Sequence, residues 1–295
     1  MVLESCLFSS GDLGLKAHAW LIGPDTKVLI PSDSPLVDAV DRSFALLRVQ
    51  LNEYPEAHVL SLDARPLEPS SWQIFAQGFP VLHVMAANQL APMAESLLCH
   101  ILSRGCRRSF VLHAGLVEFD DGCVLIPGER GSGKSTLTLW LARHGARYFG
   151  DDLILVDKDQ RRVSAFPKAV TLKQGSFALF EETETFADPI RGPVRYYLPD
   201  TGGLYQKSLE QIRLIAFVQY EAHVECSVGR LGVEWTALAL VQQLFGGLKW
   251  SDTAMNLAAR LAQVPAYVVR YGRLAEAERA IRDRLKSEVA HAAVS

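Results

Sequence analysis

Gly128-Glu129-Arg130-Gly131-Ser132-Gly133-Lys134-Ser135-Thr136 decides the reading of this chain. It fits G-x-x-x-x-G-K-[ST], the phosphate-binding loop, at every fixed position. Gly128, Gly131 and Gly133 let the backbone turn tightly, so that successive N–H groups face one anion. Lys134 supplies a point charge for β- and γ-phosphates, and the Ser135 hydroxyl can coordinate Mg²⁺. Val124-Leu125-Ile126 predicts a strand entering the loop. Thr136 to His144 predicts a helix leaving it, whose positive end faces the phosphates. Strand, loop and helix together predict a nucleotide site formed by Gly128 to Thr136.

The hairpin signal lies just upstream. Phe110 to Phe119 reads as one strand, Asp120-Asp121-Gly122 as a tight turn, and Cys123 to Ile126 as the returning strand. The strand feeding the loop is therefore expected to be one arm of a β-hairpin, whereas most phosphate loops follow a strand of a parallel βαβ sheet. A turn near residue 121 would bring His113 roughly opposite Glu129. His113 reads either as a strand-end histidine or as a site residue that contacts the γ-phosphate or orients Asp151.

Sixteen residues after Ser135 comes Gly150-Asp151-Asp152. Phosphoryl transfer needs a carboxylate to hold Mg²⁺ and can use another to take a proton from the attacking hydroxyl. Adjacent strand residues point to opposite faces, so both could serve one site only at a strand end or bend. Gly150 makes such a bend plausible.

Further on, Arg147 to Val156 reads as loop, acidic pair and strand, Asp157 to Gln160 as a turn, and Arg162 to Phe166 as a strand. Residues 182–210, with their prolines and glycines, read as a long, irregular and mobile segment. Arg213–Val218 and Ala266–Tyr271 read as strands, and Glu234–Phe245, Thr253–Ala262 and Leu274–Leu285 as helices. Residues 1–105 mix strand-like runs (His58–Leu62, Val81–Val84) with two helical patterns (Pro35–Leu51, Asn88–Ser103). They show no catalytic constellation and read as an accessory α+β lobe, with residues 106–295 as the phosphate-loop domain.

Composition narrows the function classes. The chain has 295 residues, 49% hydrophobic and 21% charged, with net charge −3, ordinary for a globular protein and against nucleic acid as the main partner. No apolar stretch is long enough to span a membrane. Met1 to Cys6 has neither basic start nor apolar core, so no signal peptide is read and the cytoplasm is the expected compartment. Cys6, Cys99, Cys106, Cys123 and Cys226 have no zinc spacing and read as free thiols.

Three motifs together resemble the HPr kinase/phosphorylase superfamily, which shares its nucleotide-binding core with phosphoenolpyruvate carboxykinase. They are His113-Ala114-Gly115, then Val124 through Thr136, then Gly150-Asp151-Asp152. The chain is most similar to the group called HPr-related kinase A. Phe166 to Lys173, Tyr196-Tyr197-Leu198-Pro199 with Gly202-Gly203, and Val264 to Gly272 also resemble that group. The resemblance is specific over residues 105–180, looser to 285 and faint before 105.

The resemblance implies an α/β fold: an HPr-kinase/phosphoenolpyruvate-carboxykinase-like core with a mixed sheet, beside the smaller N-terminal α+β lobe. It implies that Lys134 and the backbone of Gly128–Ser135 hold ATP phosphates. Ser135 and Asp152 would hold Mg²⁺, and Asp151 would act as base with His113 beside it. It also implies a homo-oligomer and a serine hydroxyl of a small protein or peptide as acceptor. HPr kinases, however, carry glutamate where this chain has Thr136, and an acidic Leu-Glu-Ile-Arg-Gly signature where it has Lys168 and Lys173. HPr itself is therefore not carried over as the acceptor, and the two lysines read either as contacts to ATP phosphates or an anionic acceptor, or as solvated lysines. Two other readings remain beside the kinase of a protein or peptide: a small-molecule kinase, and a non-catalytic ATP-responsive binding protein.

Overall fold

The structure is a computed structural model of the chain, and it describes residues 16–22, 26–68, 70–105, 109–157, 163–164, 166–199, 208–209, 212–245 and 250–294. Its first elements are β1 (Ala17–Leu21), β2 (Thr26–Pro31), α1 (Leu36–Phe44), β3 (Arg48–Val49), β4 (His58–Glu68), β5 (Ser71–Ala76), β6 (Phe79–Val84) and α2 (Leu90–Gly105). Then come β7 (Ser109–Leu112), β8 (Ala114–Phe119), β9 (Gly122–Pro127), α3 (Lys134–Arg143), β10 (Arg147–Gly150), β11 (Ile154–Asp157) and β12 (Val163–Ser164). The chain closes with β13 (Val170–Lys173), β14 (Thr185–Asp188), β15 (Gly192–Tyr197), β16 (Ser208–Leu209), β17 (Ile212–Tyr220), β18 (Ser227–Leu231), α4 (Val233–Gln243), α5 (Asp252–Leu261), β19 (Ala266–Tyr271) and α6 (Leu274–Val294).

The architecture is mixed α/β. The central sheet runs β10-β8-β9-β17-β19-β18. β9 and β19 lie parallel to β17, whereas β8 returns antiparallel on β9 with Ala114 opposite Pro127. The hairpin turn falls at Asp120-Asp121, as the sequence predicts. The upstream run differs from the expected single strand. It breaks at His113, where β7 leaves for a second sheet, β16-β12-β11-β7, and β8 stays in the central one. The His113 amide donates instead to the Gln243 carbonyl, and Leu112 bridges Leu244. Apolar residues flank His113 on both sides, so a single histidine is all that marks the crossing in the sequence.

Two further expectations are corrected. Arg147–Gly150, read as loop, is the edge strand β10, antiparallel to β8. Residues 185–197, read as irregular, form the β14–β15 hairpin, which adds to β13 in the sheet β13-β15-β14. Its turn is closed by Asp188 Oδ1, which accepts the Ile190 and Arg191 amides at 2.7 and 2.8 Å, the local bonding that favours aspartate in turns. The predicted turn at 158–160, the irregular stretch at 200–207, the Met1–Cys6 start, Cys6, Cys106 and Gly202-Gly203 lie outside the described residues.

α3 is held between two layers. Leu137 and Leu141 pack on the central sheet with Val117, Val124 and Ile126, while Leu139 packs on Val170, Leu172 and Tyr197 beneath the β13–β15 sheet. Each such buried leucine stabilises the arrangement by about 1.5–3 kcal/mol relative to exposure. The first sheet, β3-β1-β2-β4-β5-β6, packs with α1 and α2 on a core that continues into Val111, Leu155, Phe166 and Val194. Cys99, Cys123 and Cys226 are in no disulfide among the described residues. Among the described residues no helix is long and apolar enough to cross a membrane.

Candidate active site

The loop 128–133 leaves β9 and enters α3 at the carboxyl ends of the parallel strands, where open α/β sheets take ligands. Gly133 sits at φ +87°, and an added Cβ there would lie 2.5 Å from the Tyr271 hydroxyl and 2.8 Å from Tyr220 Cβ. Only glycine fits. No side chain caps α3 at Gly133, so its first amides remain available to an anion. The Ser132 carbonyl accepts the Tyr220 amide at 2.8 Å, and Thr136 Oγ1 meets Ser176 Oγ at 2.7 Å, fixing the loop on both sides. Glu129, Arg130 and Gly131 are exposed, whereas Gly128 and Lys134 are buried.

Lys134 does not point out of the loop in this structure. Its Nζ donates to Asp151 Oδ1 at 3.0 Å and to Asp152 Oδ1 at 2.7 Å, and lies 3.4 Å from Ser135 Oγ. Burial alone would lower the Lys134 pKa; the two carboxylates outweigh it and raise it. Asp151 and Asp152 converge on one ammonium because Asp152 takes the left-handed conformation, φ +66°. This is the bend that an adjacent pair requires.

The two carboxylates differ in access. Asp151 is 0% exposed, and its Oδ2 is buried with no hydrogen-bond partner. The Asp152 side chain is 26% exposed and lines the cavity. His113 Nε2 lies 3.3 Å from Asp152 Oδ1, and its ring stands edge-on to Phe245. The histidine thus faces Asp152 rather than Asp151, the neighbour expected for it. Burial would raise the Asp152 pKa, but Lys134, Lys168 and His113 hold it well below the usual carboxylate range.

Lys168 also departs from expectation. It is fully buried and cannot meet a nucleotide; it donates to Glu95 Oε1 at 2.9 Å and lies 3.5 Å from Asp152 Oδ2. Lys173 is exposed on the cavity wall. Sequence reasoning missed Glu95, Arg191 and Tyr196. Glu95 on α2 accepts from Lys168 and Thr171 through Oε1, and from Arg191 and Tyr196 through Oε2, at 2.6–3.2 Å. A glutamate on a helix in the N-terminal half, 73 residues from Lys168, carries no sequence mark of such a role.

The cavity above these groups has a volume of about 870 Å³. Tyr220, Tyr271 and Arg273 line it beside the loop, and Met93, Ser96 and His100 of α2 form another part of its wall. At its rim stand Leu179, Ile190 and Phe245, exposed by 50%, 70% and 39%.

The donors present suit Mg²⁺, which takes one or two hard oxygen ligands from a protein and the remainder from phosphates and water. Ser135 borders the cavity, and Asp151 stands behind Lys134 with its Oδ1 paired to that ammonium and its Oδ2 without a hydrogen-bond partner. Among the described residues no group of three or more His, Cys, Asp or Glu forms a metal cage.

No protein-family model and no curated protein matches the chain. Among solved structures, the chain is similar to the Hpr(Ser) kinase/phosphatase from Coxiella burnetii. The match is 15% identical, covers 60% of this chain and 98% of that one, and has a TM-score of 0.30. So loose a likeness says nothing of this chain's chemistry.

Proposed function

We propose that this protein is an ATP- and Mg²⁺-dependent kinase that transfers the γ-phosphoryl group to a hydroxyl, a serine hydroxyl of a protein or peptide. The observation that carries the reading is the convergence of Lys134, Asp151, Asp152 and His113 at the mouth of the Gly128–Ser135 loop.

Nucleotide phosphates would draw Lys134 away from the carboxylates, since an ammonium follows the denser negative charge. The loop amides and Lys134 would then hold the β- and γ-phosphates. Ser135, with Asp151 once Lys134 has moved off it, would hold Mg²⁺, which supplies charge neutralisation at the phosphates. Asp152 is the carboxylate an acceptor can reach. It would take the hydroxyl proton as the acceptor oxygen bonds to the γ-phosphorus, and the bond to the β–γ bridging oxygen would break with its electrons leaving on ADP. Departure of Lys134 removes one of the cations that depress Asp152, making it a better base at that moment. We therefore exchange the roles expected of the two aspartates: accessibility and the His113 contact favour Asp152 as base, and the pairing to Lys134, which phosphates would draw away, favours Asp151 as metal ligand.

The apolar rim of Leu179, Ile190 and Phe245 favours a polypeptide acceptor, which would cover it. Asp152→Asn should lower transfer of labelled γ-phosphate by roughly 100-fold or more while leaving ATP bound. Asp151→Asn should chiefly raise the Mg²⁺ concentration needed. Transfer that survives Asp152→Asn sinks the base assignment.

A further inference from the structure

We infer that Lys168, anchored by Glu95, is the positioning residue of Asp152, so that the N-terminal helix α2 belongs to the working site. The inference deepens the kinase reading and rests on it for its activity readout.

Lys168 is set with little freedom. Its carbonyl accepts the Tyr148 hydroxyl at 2.6 Å, its amide donates to Phe166 O, and the next amide, Ala169, donates to Ser43 O at 2.7 Å on α1. Its Nζ donates to Glu95 Oε1, to the Ala169 carbonyl at 3.1 Å and to Thr171 Oγ1 at 3.4 Å. Glu95 is itself fixed, because Ala91, Ala94, Leu98 and Leu102 of the same helix are buried in the core around it. The Nζ position is therefore determined by how α2 packs.

Charge accounting shows why a second buried cation is there. Glu95 and Asp188 carry two negative charges against the one of Arg191, which bonds both, so Lys168 completes the balance at Glu95. The same ammonium also faces a second carboxylate, Asp152, at 3.5 Å, and so ties Asp152 to the Glu95 cluster. Lys134 and Lys168 approach different oxygens of Asp152, Oδ1 and Oδ2. When phosphates take Lys134, Lys168 is the cation that stays, because it is fully buried and bonded on all its donors. It keeps the Asp152 carboxylate aimed into the cavity despite the strained φ of +66°.

A double-variant cycle on the full chain tests this. Lys168→Met, Asp152→Asn and the pair are compared for phosphate release from Mg-ATP, for ATP affinity with a fluorescent ATP analogue, and for Tm. Lys168→Met is expected to lower turnover by about tenfold or more, leave affinity for the analogue within about twofold, and have no further effect on turnover in the Asp152→Asn background. Glu95→Gln, which loosens the anchor but keeps the side chain's shape, is expected to lower turnover by less; it replaces Lys168→Met in the cycle should that variant not fold. Equal losses in both backgrounds, or unchanged turnover, overturn the inference. If the parent chain shows no Lys134-dependent phosphate release, the Tm cycle decides. Lys168→Met must then lower Tm less in Asp152→Asn than in the parent, whereas equal shifts overturn the inference.

Discussion

Replacing Glu95 by glutamine should make the stability of this protein far less sensitive to acid. Glu95 is 2% exposed. Burial by itself would raise its pKa, but Lys168 and Arg191 outweigh burial and lower it from 4.5 to about 2. That depression of roughly 2.5 pH units corresponds to about 3 kcal/mol of folding free energy. The sign follows from protons bound. Above pH 4.5 the carboxylate is charged in both states, and the folded state gains its full ion pairing. As pH falls from 4.5 towards 2, the unfolded chain takes up the proton first and the advantage disappears. At pH 3 a little under half of it should remain. The groups facing Glu95 are Lys168, Thr171, Arg191 and Tyr196, with Cys99 and Asp152 near by. The assay is urea unfolding of the parent and Glu95→Gln from pH 7 to pH 3, followed by tryptophan fluorescence. At pH 7 the variant should be less stable by about 3 kcal/mol or somewhat more, because it leaves buried cations unbalanced. By pH 3 the gap should be about half as large. A gap that stays constant over that range refutes the claim that the Glu95 charge is stabilised by its pairs.

Other outcomes follow from the same geometry. Lys134→Met should lower stability at pH 7 by about 3–5 kcal/mol even without nucleotide, because it strips the shared cation from two carboxylates, one of them fully buried. Asp152, which Lys134 helps to hold well below the usual carboxylate range, would be held down less, so the loss should shrink as pH falls towards 4; urea unfolding at both pH values checks it. Gly133→Ala should weaken ATP binding by about tenfold or more, from left-handed strain and its collision with Tyr271 and Tyr220, as read by calorimetric titration. Gly115→Ala would place a Cβ 2.2 Å from Thr138 Oγ1 in the buried contact between β8 and α3. It should cost about 1–3 kcal/mol, recovered largely by adding Thr138→Ala, with Tm as the measure.

What could be seen in the sequence was the part written locally. The strand before the loop, the turn at Asp120-Asp121, the helix after Lys134 and the strands at 213–218 and 266–271 all follow from apolar runs bounded by turn residues. The convergence of Asp151 and Asp152 also followed from a local rule, since neighbours can share a site only at a bend. What was hidden depends on distant partners. Beyond His113, nothing in Phe110–Phe119 reveals that it serves two sheets, because both halves are apolar. Lys168 reads as a solvated lysine or an anion contact, and nothing in the sequence marks Glu95, until folding buries them together. His113 met Asp152 rather than Asp151 because the positive φ of Asp152 turned that side chain towards it. The β14–β15 hairpin was masked by Pro189 and Gly192, which end a loop and close a tight turn equally well.

Incubation of the full chain with γ-labelled ATP and Mg²⁺ in a lysate of its source cell, beside Lys134→Ala, tests the central claim most directly. Mass spectrometry of the labelled species reads the result. The account predicts a protein or peptide labelled on a serine hydroxyl only when Lys134 is present. Label confined to a small metabolite would contradict the polypeptide acceptor, and ATP binding with no Lys134-dependent label on any species would contradict the kinase itself.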